Sequence, residues 1–559
     1  MAPVRWNLQE KTMALIDSDL GRASALVIDP HTGSRNALVR MLQTLNIPDI
    51  TATSLLSDAR RLLRTRRYDI LLCDYHFEGQ RGSGQQLIEE MRQANLLPLS
   101  TSVVMVTAEN SYHRVAEAAE SALDSYLLKP HRLADLSERL ILIRLRKEAL
   151  ADIFQAIGQR DLERAAQLCV ERFHARKAYW LYAARIGAEL MLRLRRHTEA
   201  QEMFSAVCEH QAVPWARMGV ARAQIEQGQH RRAAEQLHQL TAEQPECVDA
   251  FDILARAQLE AGQLPLALDT CHKAVELTPQ SIPRLQKVGS LAFYLGQHEL
   301  ARQTLRKAQQ LSALSDGGGK LFDTQTLVLQ GLMSFDAAQP AALQQAHKAL
   351  MEVFDDDPDD LGRRLRQSHL LLALTGLQAR DTRQAIESAR LYMADQMLAD
   401  FDLEAGCNAA SLMTRLLNHG VCLPEQRDWA TRLAQRFCHS QTSTTLLELA
   451  SAAQPELRDV FTAQHRDTRQ MAEQALSHSL AGQAQQALEL LLNRARETLN
   501  VRLVELADAI YQRHATALAL PGTLIERLRE LQAARCPTDT LPPLFRHGKR
   551  MPGELRLRA

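Results

Sequence analysis

The sequence predicts an α/β domain built on a doubly wound, five-stranded parallel sheet, followed by an all-α superhelix of helical repeats. Three observations carry that expectation. Strand-like and helix-like segments alternate five times within about 120 residues near the start of the chain. Further on, Gly228, Gly262 and Gly296 recur at a 34-residue step, and so do Ala233, Ala267 and Ala301. Aromatic residues make up only 5%, while Leu, Ala, Gln, Arg and Glu recur throughout, which is the composition of a mostly helical protein.

At 559 residues the chain is too long for one core, and several domains are expected. Lys and Arg together number 66, as do Asp and Glu, so the formal net charge is zero. That balance supplies no whole-chain attraction toward nucleic acid or anionic lipid, and neither is expected as a partner. The nine cysteines include no C-x-x-C pair, so neither a disulfide framework nor a zinc module is indicated. The first twenty residues lack the apolar core of a signal peptide, and no apolar run reaches the roughly 18 residues needed to span a bilayer. A cytoplasmic location is expected.

Residues 1–22 read as a polar N-terminal extension. Ala25 to Ile28 is an apolar, strand-like run ending in Asp29, and Ser34 to Leu45 is helical, with Leu38, Met41, Leu42 and Leu45 on one face. Ile50 to Thr53 is a second strand, and Leu55 to Leu63 a second helix. The apolar run from Ile70 to Cys73 delivers Asp74 to a strand end; a Gly-containing loop and a helix from Gly84 to Ala94 come next. Ser102 to Thr107 and Ser125 to Leu128 complete the strands, and the last helix of the domain begins near Leu133. In a doubly wound sheet Asp29, Asp74, Thr107 and Lys129 all fall at the carboxyl ends of strands, where such sheets carry their chemistry. Two carboxylates suit a divalent cation, a hydroxyl can bond an oxyanion and an ammonium can pair with one.

The motifs VIDP (27–30), LLCD (71–74), VMVTAE (104–109) and SYLLKP (125–130) resemble the receiver domains of bacterial two-component response regulators, over about residues 23–147. The resemblance implies a flavodoxin-like receiver in which Asp74 is the phosphoacceptor, taking a phosphoryl group from a phosphohistidine as an acyl phosphate. It implies that Asp29, Asp74 and the backbone carbonyl of His76 hold Mg²⁺, that Thr107 and Lys129 contact phosphoryl oxygens, and that Tyr126 is the switch aromatic. It also implies a cis Lys129–Pro130 bond. One departure stands out. The family has a second acid after the first strand, where this chain has Pro30, so Mg²⁺ binding is expected to be weakened, with Glu78 and Glu109 as candidates to compensate.

The last helix of the domain keeps its periodicity through Leu140, Ile143 and Leu150, which predicts a nearly continuous helical passage into the region behind it. There the units QGQHRRAAEQL, AGQLPLALDTC and LGQHELARQTL repeat, with Pro245 and Pro279 closing two of them. Gly permits the tight turn, Ala close helix approach, and Pro ends the second helix. This 34-residue pattern over 214–315 resembles the tetratricopeptide repeat. Fainter copies begin at IGQRDLERAAQLC (157–169), LRRHTEAQEMF (194–204), ARDTRQAIESA (379–389) and AGQAQQALELL (481–491). The expected division is an array over 148–315, more divergent helical repeats over 316–535 and an irregular tail over 536–559. Stacked repeats of this kind present a concave face to a peptide or helix. Candidates for that face are Trp215, Arg222, Asp252, Arg256, Phe293 and Tyr294, with Trp215 and Phe293 weighted toward packing. The acidic run at 355–360 lacks the Gly and distant Glu of a calcium loop and reads as a solvated turn.

The expected function is a response regulator in a phosphorelay, phosphorylated by a sensor histidine kinase or a phosphotransfer protein, whose repeat array binds a protein ligand or whose receiver forms a homodimer. The alternative is a phosphorylation-independent scaffold with a degenerate receiver, motivated by Pro30. Outside the receiver no catalytic constellation stands out, so no enzyme acting on an external substrate is expected.

Overall fold

A computed structural model of the chain describes residues 21–77, 83–94, 96–107, 125–314, 324–352, 358–398, 400–514 and 521–534. The chain divides into two compact units, one holding the chain through Ile253 and the other most of the chain from Leu254 onward.

The first unit opens with five parallel strands: β1 (Ser24–Ile28), β2 (Asp49–Thr53), β3 (Ile70–Asp74), β4 (Ser102–Thr107) and β5 (Ser125–Leu128). Their order across the sheet is β2-β1-β3-β4-β5. Three described helices lie between the strands, α1 (Thr32–Thr44), α2 (Leu56–Thr65) and α3 (Gly84–Gln93), and α4 (Leu133–Ala149) comes after β5. The strands are nearly all apolar because both faces are covered, as a parallel sheet requires. Leu26, Ile28, Leu71, Cys73, Val103 and Met105 pack on one face, against Ala59 and Leu63 of α2 and Leu87 and Met91 of α3. Ala25, Val27, Ile70, Leu72, Val104 and Val106 pack on the other, against Leu38 and Leu42 of α1 and Leu136, Leu140 and Ile143 of α4. The period of two along each strand sends alternate residues to opposite faces.

α4 passes into α5 (Ala151–Gly158) through the single residue Leu150, at φ −111 and ψ 15, so the passage is nearly continuous but bent. Lys147, near the end of α4, is buried and donates hydrogen bonds to the carbonyl oxygens of Leu99 and Thr101. Thr101 in turn donates to the carbonyl oxygen of Tyr68 (2.8 Å). Leu99 packs against Leu150 and Ile153, and the Arg146 guanidinium sits 4.5 Å from the centre of the Tyr182 ring. The segment leading into β4 is therefore held between the last helix of the sheet domain and the first helices of the repeats.

Helix pairs come next: α5 with α6 (Leu162–His174), α7 (Trp180–Arg193) with α8 (His197–His210), and α9 (Pro214–Glu226) with α10 (His230–Glu243). Across the boundary between the units runs α11 (Val248–Glu260). The second unit continues with α12 (Leu264–Leu277), α13 (Ile282–Tyr294), α14 (His298–Leu314), α15 (Gln325–Asp336), α16 (Pro340–Glu352), α17 (Pro358–Gln378), α18 (Thr382–Ala394), α19 (Leu403–Asn418), α20 (Gln426–Phe437), α21 (Gln441–Ala450), α22 (Pro455–Leu480), α23 (Ala484–Thr498), α24 (Val501–His514) and α25 (Gly522–Ala534).

The turns explain the sequence pattern. Gly228, Gly262 and Gly296 have φ of +77, +77 and +74, the left-handed region where glycine alone meets no steric cost. The predicted close-packing residues Ala233, Ala267 and Ala301 are all fully buried. Of the fainter repeats, those at 157–169, 194–204 and 379–389 make the same turn with Arg160, Arg195 and Arg380 at positive φ, as Ala338 does before α16, whereas the copy at 481–491 keeps glycine, Gly482 at φ +78. In the first of them it is Arg160, two residues past Gly158, that takes the left-handed conformation. The stretch 400–470, helical but without markers in the sequence, is α19 to α22, in which the short α21 is inserted and α22 runs 26 residues. The tail after residue 534, the run at 353–357 and the loop at 316–320 lie outside the described residues.

Candidate functional site

β1 and β3 are neighbours at the centre of the sheet, and the chain leaves them toward opposite sides, so a crevice opens at their carboxyl ends. Backbone hydrogen bonds carry the ladder past the strands and fix what lies there. Asp29 N donates to Thr53 O, Tyr75 N to Val106 O and Lys129 N to Thr107 O. Asp29, Asp74, Thr107 and Lys129 thus share one sheet edge.

Lys129 Nζ lies 3.0 Å from Asp29 Oδ2 and 2.5 Å from Asp74 Oδ2, bridging the two acids. Each carboxylate uses its second oxygen locally: Asp29 Oδ1 accepts from His31 N (2.8 Å) and Asp74 Oδ1 from His76 N (3.1 Å). Both aspartates are buried, at 0% and 4% exposure, so their charges are compensated by hydrogen bonds and not by water. Burial pushes the Lys129 ammonium down, but the hydrogen bonds to Asp74 and Asp29 outweigh it, and the group stays above its ordinary value. Burial likewise pushes the neighbouring Cys73 thiol well up, and Asp74 and Asp29 add to it, so Cys73 is an inert core thiol. The Lys129–Pro130 bond is cis. His131 is held below its usual value by burial and by Lys129, and its Nδ1 has no partner among the described residues.

Thr107 ends β4 and is 8% exposed. Tyr126 is half-buried against the face of the sheet that carries Leu71 and Met105, with the Arg139 guanidinium 5.1 Å from its ring centre. Arg139, from α4, also donates to Ser125 Oγ. Two further residues shape the site. Gly84, at the start of α3, leaves no room for a side chain: a Cβ there would sit 1.9 Å from the Asp74 carbonyl oxygen and 2.7 Å from Cys73 Sγ. Arg35 reaches back from α1 and donates to the carbonyl oxygens of Asp29 (2.7 Å) and Pro30 (3.4 Å). Sequence reasoning missed Arg35. The available signal was a basic residue at the start of a helix, where the helix dipole disfavours positive charge.

The donor set fits a hard divalent cation. Asp29 and Asp74 bring two carboxylates together at this edge, the hard oxygen donors that Mg²⁺ takes, with Lys129 Nζ between them. Among the described residues no group of three His, Cys, Asp or Glu side chains forms a metal cluster. Glu78 and Glu109 lie outside the described residues.

The candidates for the repeat face are less open than expected. Arg222 is buried in a bidentate pair with Glu189, each N–O distance 2.9 Å, tying α9 to α7. Asp252 and Arg256 are buried, and Phe293 and Tyr294 belong to the apolar core of the second unit. Trp215 is half-buried, edge-on to Phe204, with the Arg185 guanidinium 5.2 Å from its ring centre. Arg222 is thus engaged in an ion pair and Phe293 and Tyr294 in core packing, while Trp215 stays partly open.

A parallel 2-1-3-4-5 sheet with two acids, a threonine and a lysine at its carboxyl edge, joined to helical hairpins with left-handed turns, defines a receiver joined to a helical repeat array. Comparison with known families agrees. Residues 25–141 match the response regulator receiver domain and residues 220–282 the tetratricopeptide repeat. The chain therefore carries an N-terminal CheY-like receiver domain and a tetratricopeptide-repeat region behind it. Over 115 residues it is 25% identical to the chemotaxis protein CheY of Pseudomonas aeruginosa, covering 21% of this chain and 90% of that protein. The chemotaxis protein CheY-3 of Vibrio cholerae is also 25% identical over 115 residues, covering 21% of this chain and 86% of its own length. Among solved structures, the receiver domain of the Francisella response regulator 1452 is 24% identical over 22% of this chain and 99% of that one, with a TM-score of 0.20. The human IFIT1 dimer with m7Gppp-AAAA is 13% identical over 75% of this chain and 94% of that one, with a TM-score of 0.32. Among the described residues no helix is long and apolar enough to cross a membrane.

Proposed function

We propose that this protein is a two-component response regulator that accepts a phosphoryl group on Asp74 and signals through protein binding by its repeat array. A receiver joined to a tetratricopeptide-repeat region is a signalling and protein-binding combination. The observation that carries the finer reading is the Lys129 bridge between Asp29 and Asp74. It holds a carboxylate nucleophile and a cation for the incoming phosphoryl oxygens within one hydrogen bond of each other.

In the proposed step an Asp74 carboxylate oxygen attacks phosphorus in line with the bond to the donor, a phosphohistidine of a sensor kinase or phosphotransfer protein. The new O–P bond forms as the N–P bond breaks, and the electron pair stays on the imidazole nitrogen. Bound Mg²⁺, held by Asp29, Asp74 and the His76 carbonyl, would screen charge on the transferring group. Lys129 follows the phosphoryl oxygens, Thr107 donates to another of them, and Tyr126 responds to the Thr107 movement. The output would pass along α4, which Lys147 ties to the segment before β4 and whose Arg146 meets Tyr182 of the first repeats. The repeats would then offer a binding face to a protein ligand, with the receiver spanning about 23–147 and the repeats lying behind it.

Pro30 favours a second reading, a scaffold that binds its ligand without phosphorylation. The full chain, wild type beside Asp74→Asn, is incubated with acetyl phosphate and Mg²⁺ and read by intact mass. Added phosphate in wild type alone supports the response regulator; no addition at saturating Mg²⁺ leaves the scaffold.

A further inference from the structure

We infer that Arg35 is a positioning residue that offsets the missing acid at Pro30: it makes the Asp74 site electrostatically receptive to a phosphoryl anion without a tightly held metal ion. The inference rests on the reading of Asp74 as phosphoacceptor.

Arg35 Nη1 donates to the carbonyl oxygens of Asp29 and Pro30, and Nη2 to Thr32 Oγ1 (3.3 Å). All three acceptors are neutral oxygens, and among the described residues no carboxylate pairs with the guanidinium, which is half-buried. A guanidinium carries its positive charge permanently, and here it lies against the backbone of Asp29 and Pro30, beside the crevice, with no carboxylate paired to it among the described residues. Among the described residues the immediate site then holds two carboxylates, Asp29 and Asp74, against two cations, Lys129 and Arg35. An acid at position 30 would have left a net negative site, needing a metal ion before a phosphoryl dianion could approach. With proline there, the charges of the described residues at this edge balance, and they set up no net repulsion against the approach.

The same charge acts in opposite directions on the two ligands. It attracts the phosphoryl anion and repels Mg²⁺. Removing it should therefore tighten Mg²⁺ binding while slowing phosphoryl uptake when Mg²⁺ is scarce. A purely structural role for Arg35, holding the turn after β1, would instead weaken both.

The test uses the full chain as wild type, Arg35→Gln, Arg35→Lys and Pro30→Asp. Mg²⁺ affinity is read by calorimetry, with Asp29→Asn marking the heat that belongs to this site. Uptake from acetyl phosphate is read by intact mass, from chelator-treated solution up to saturating Mg²⁺; Asp74 displaces acetate, which leaves with the electron pair of the broken O–P bond. For Arg35→Gln we expect Mg²⁺ to bind about threefold tighter and uptake without added Mg²⁺ to fall about threefold, the size of one screened charge at this range. Arg35→Lys should behave as wild type in both readings, because it keeps the charge, and Pro30→Asp should tighten Mg²⁺ further. Unchanged Mg²⁺ affinity in Arg35→Gln, or loss of affinity and uptake together without rescue by lysine, overturns the inference. If no variant takes up phosphate, the phosphoacceptor reading fails on its own, and the Mg²⁺ affinities still decide whether Arg35 carries the charge role.

Discussion

A lysine that bridges two buried aspartates is stable only because the geometry is tight. Burying charges costs several kcal/mol each, and Lys129, His31 N and His76 N return it as hydrogen bonds. The raised Lys129 value stabilises the folded state fully below the usual lysine range and is lost only as pH rises through the folded value, so this contact is intact at neutral pH. The most constrained residue at the site is a glycine. Alanine at position 84 would drive its Cβ into the Asp74 carbonyl oxygen and Cys73 Sγ, neither of which can move without shifting the end of β3. Gly84→Ala is expected to lower unfolding stability by about 2 kcal/mol in urea titration. It should also reduce phosphate uptake at least about tenfold, since reacting groups must be held to a fraction of an ångström. Wild-type stability and uptake in that variant would show that the loop after Asp74 accommodates the methyl.

Between elements, the left-handed turn of a helical hairpin contributes to how visible a repeat is in sequence, although Gly482 shows that a glycine turn outside the regular 34-residue step still leaves a faint copy. Where Gly occupies it, as at 228, 262 and 296, the period is plain; where Arg160, Arg195, Ala338 or Arg380 does, the same backbone is made at a cost and the marker vanishes. Ala338 is exposed, with φ +52, so Ala338→Gly relieves strain without removing a contact. It should raise unfolding free energy by about 0.5–1 kcal/mol, the left-handed penalty less the extra freedom glycine has when unfolded. A lower midpoint in chemical denaturation would contradict that. At the receiver boundary, the bend at Leu150 and the buried Lys147 were not readable, because both depend on where Leu99 and Thr101 come to lie in space.

Across the whole molecule, stability should fall on mild acidification. His439, half-buried in the second unit, is pushed down to about 4 by burial and by the nearby Arg502 and His465. The unfolded chain takes up a proton near the ordinary histidine value and the folded chain not until about 4, so stability present above that ordinary value drains away as pH drops toward 4. Discounted for partial exposure, the loss is about 1–2 kcal/mol. Thermal unfolding midpoints between pH 7 and 5 should fall accordingly, and His439→Gln should flatten that slope. An equal slope in the variant would place the effect on other groups.

The order of the five strands' segments, the edge on which Asp29, Asp74, Thr107 and Lys129 gather and the 34-residue step of the strong repeats were all legible in the chain alone. The reason is physical: strand and helix periods, strand-end placement and glycine turns are local properties, written within a few residues of where they act. What lay beyond reach depends on contacts between residues far apart in sequence. Lys129 meets Asp29 across 100 residues, Gly84 meets the Asp74 backbone, and Arg222 is drawn from an expected open face into a buried pair with Glu189. Periodicity can say which side of a helix is apolar. Only the packed structure decides which neighbour covers a charged side chain, because that is set by the approach of another element and not by the helix itself.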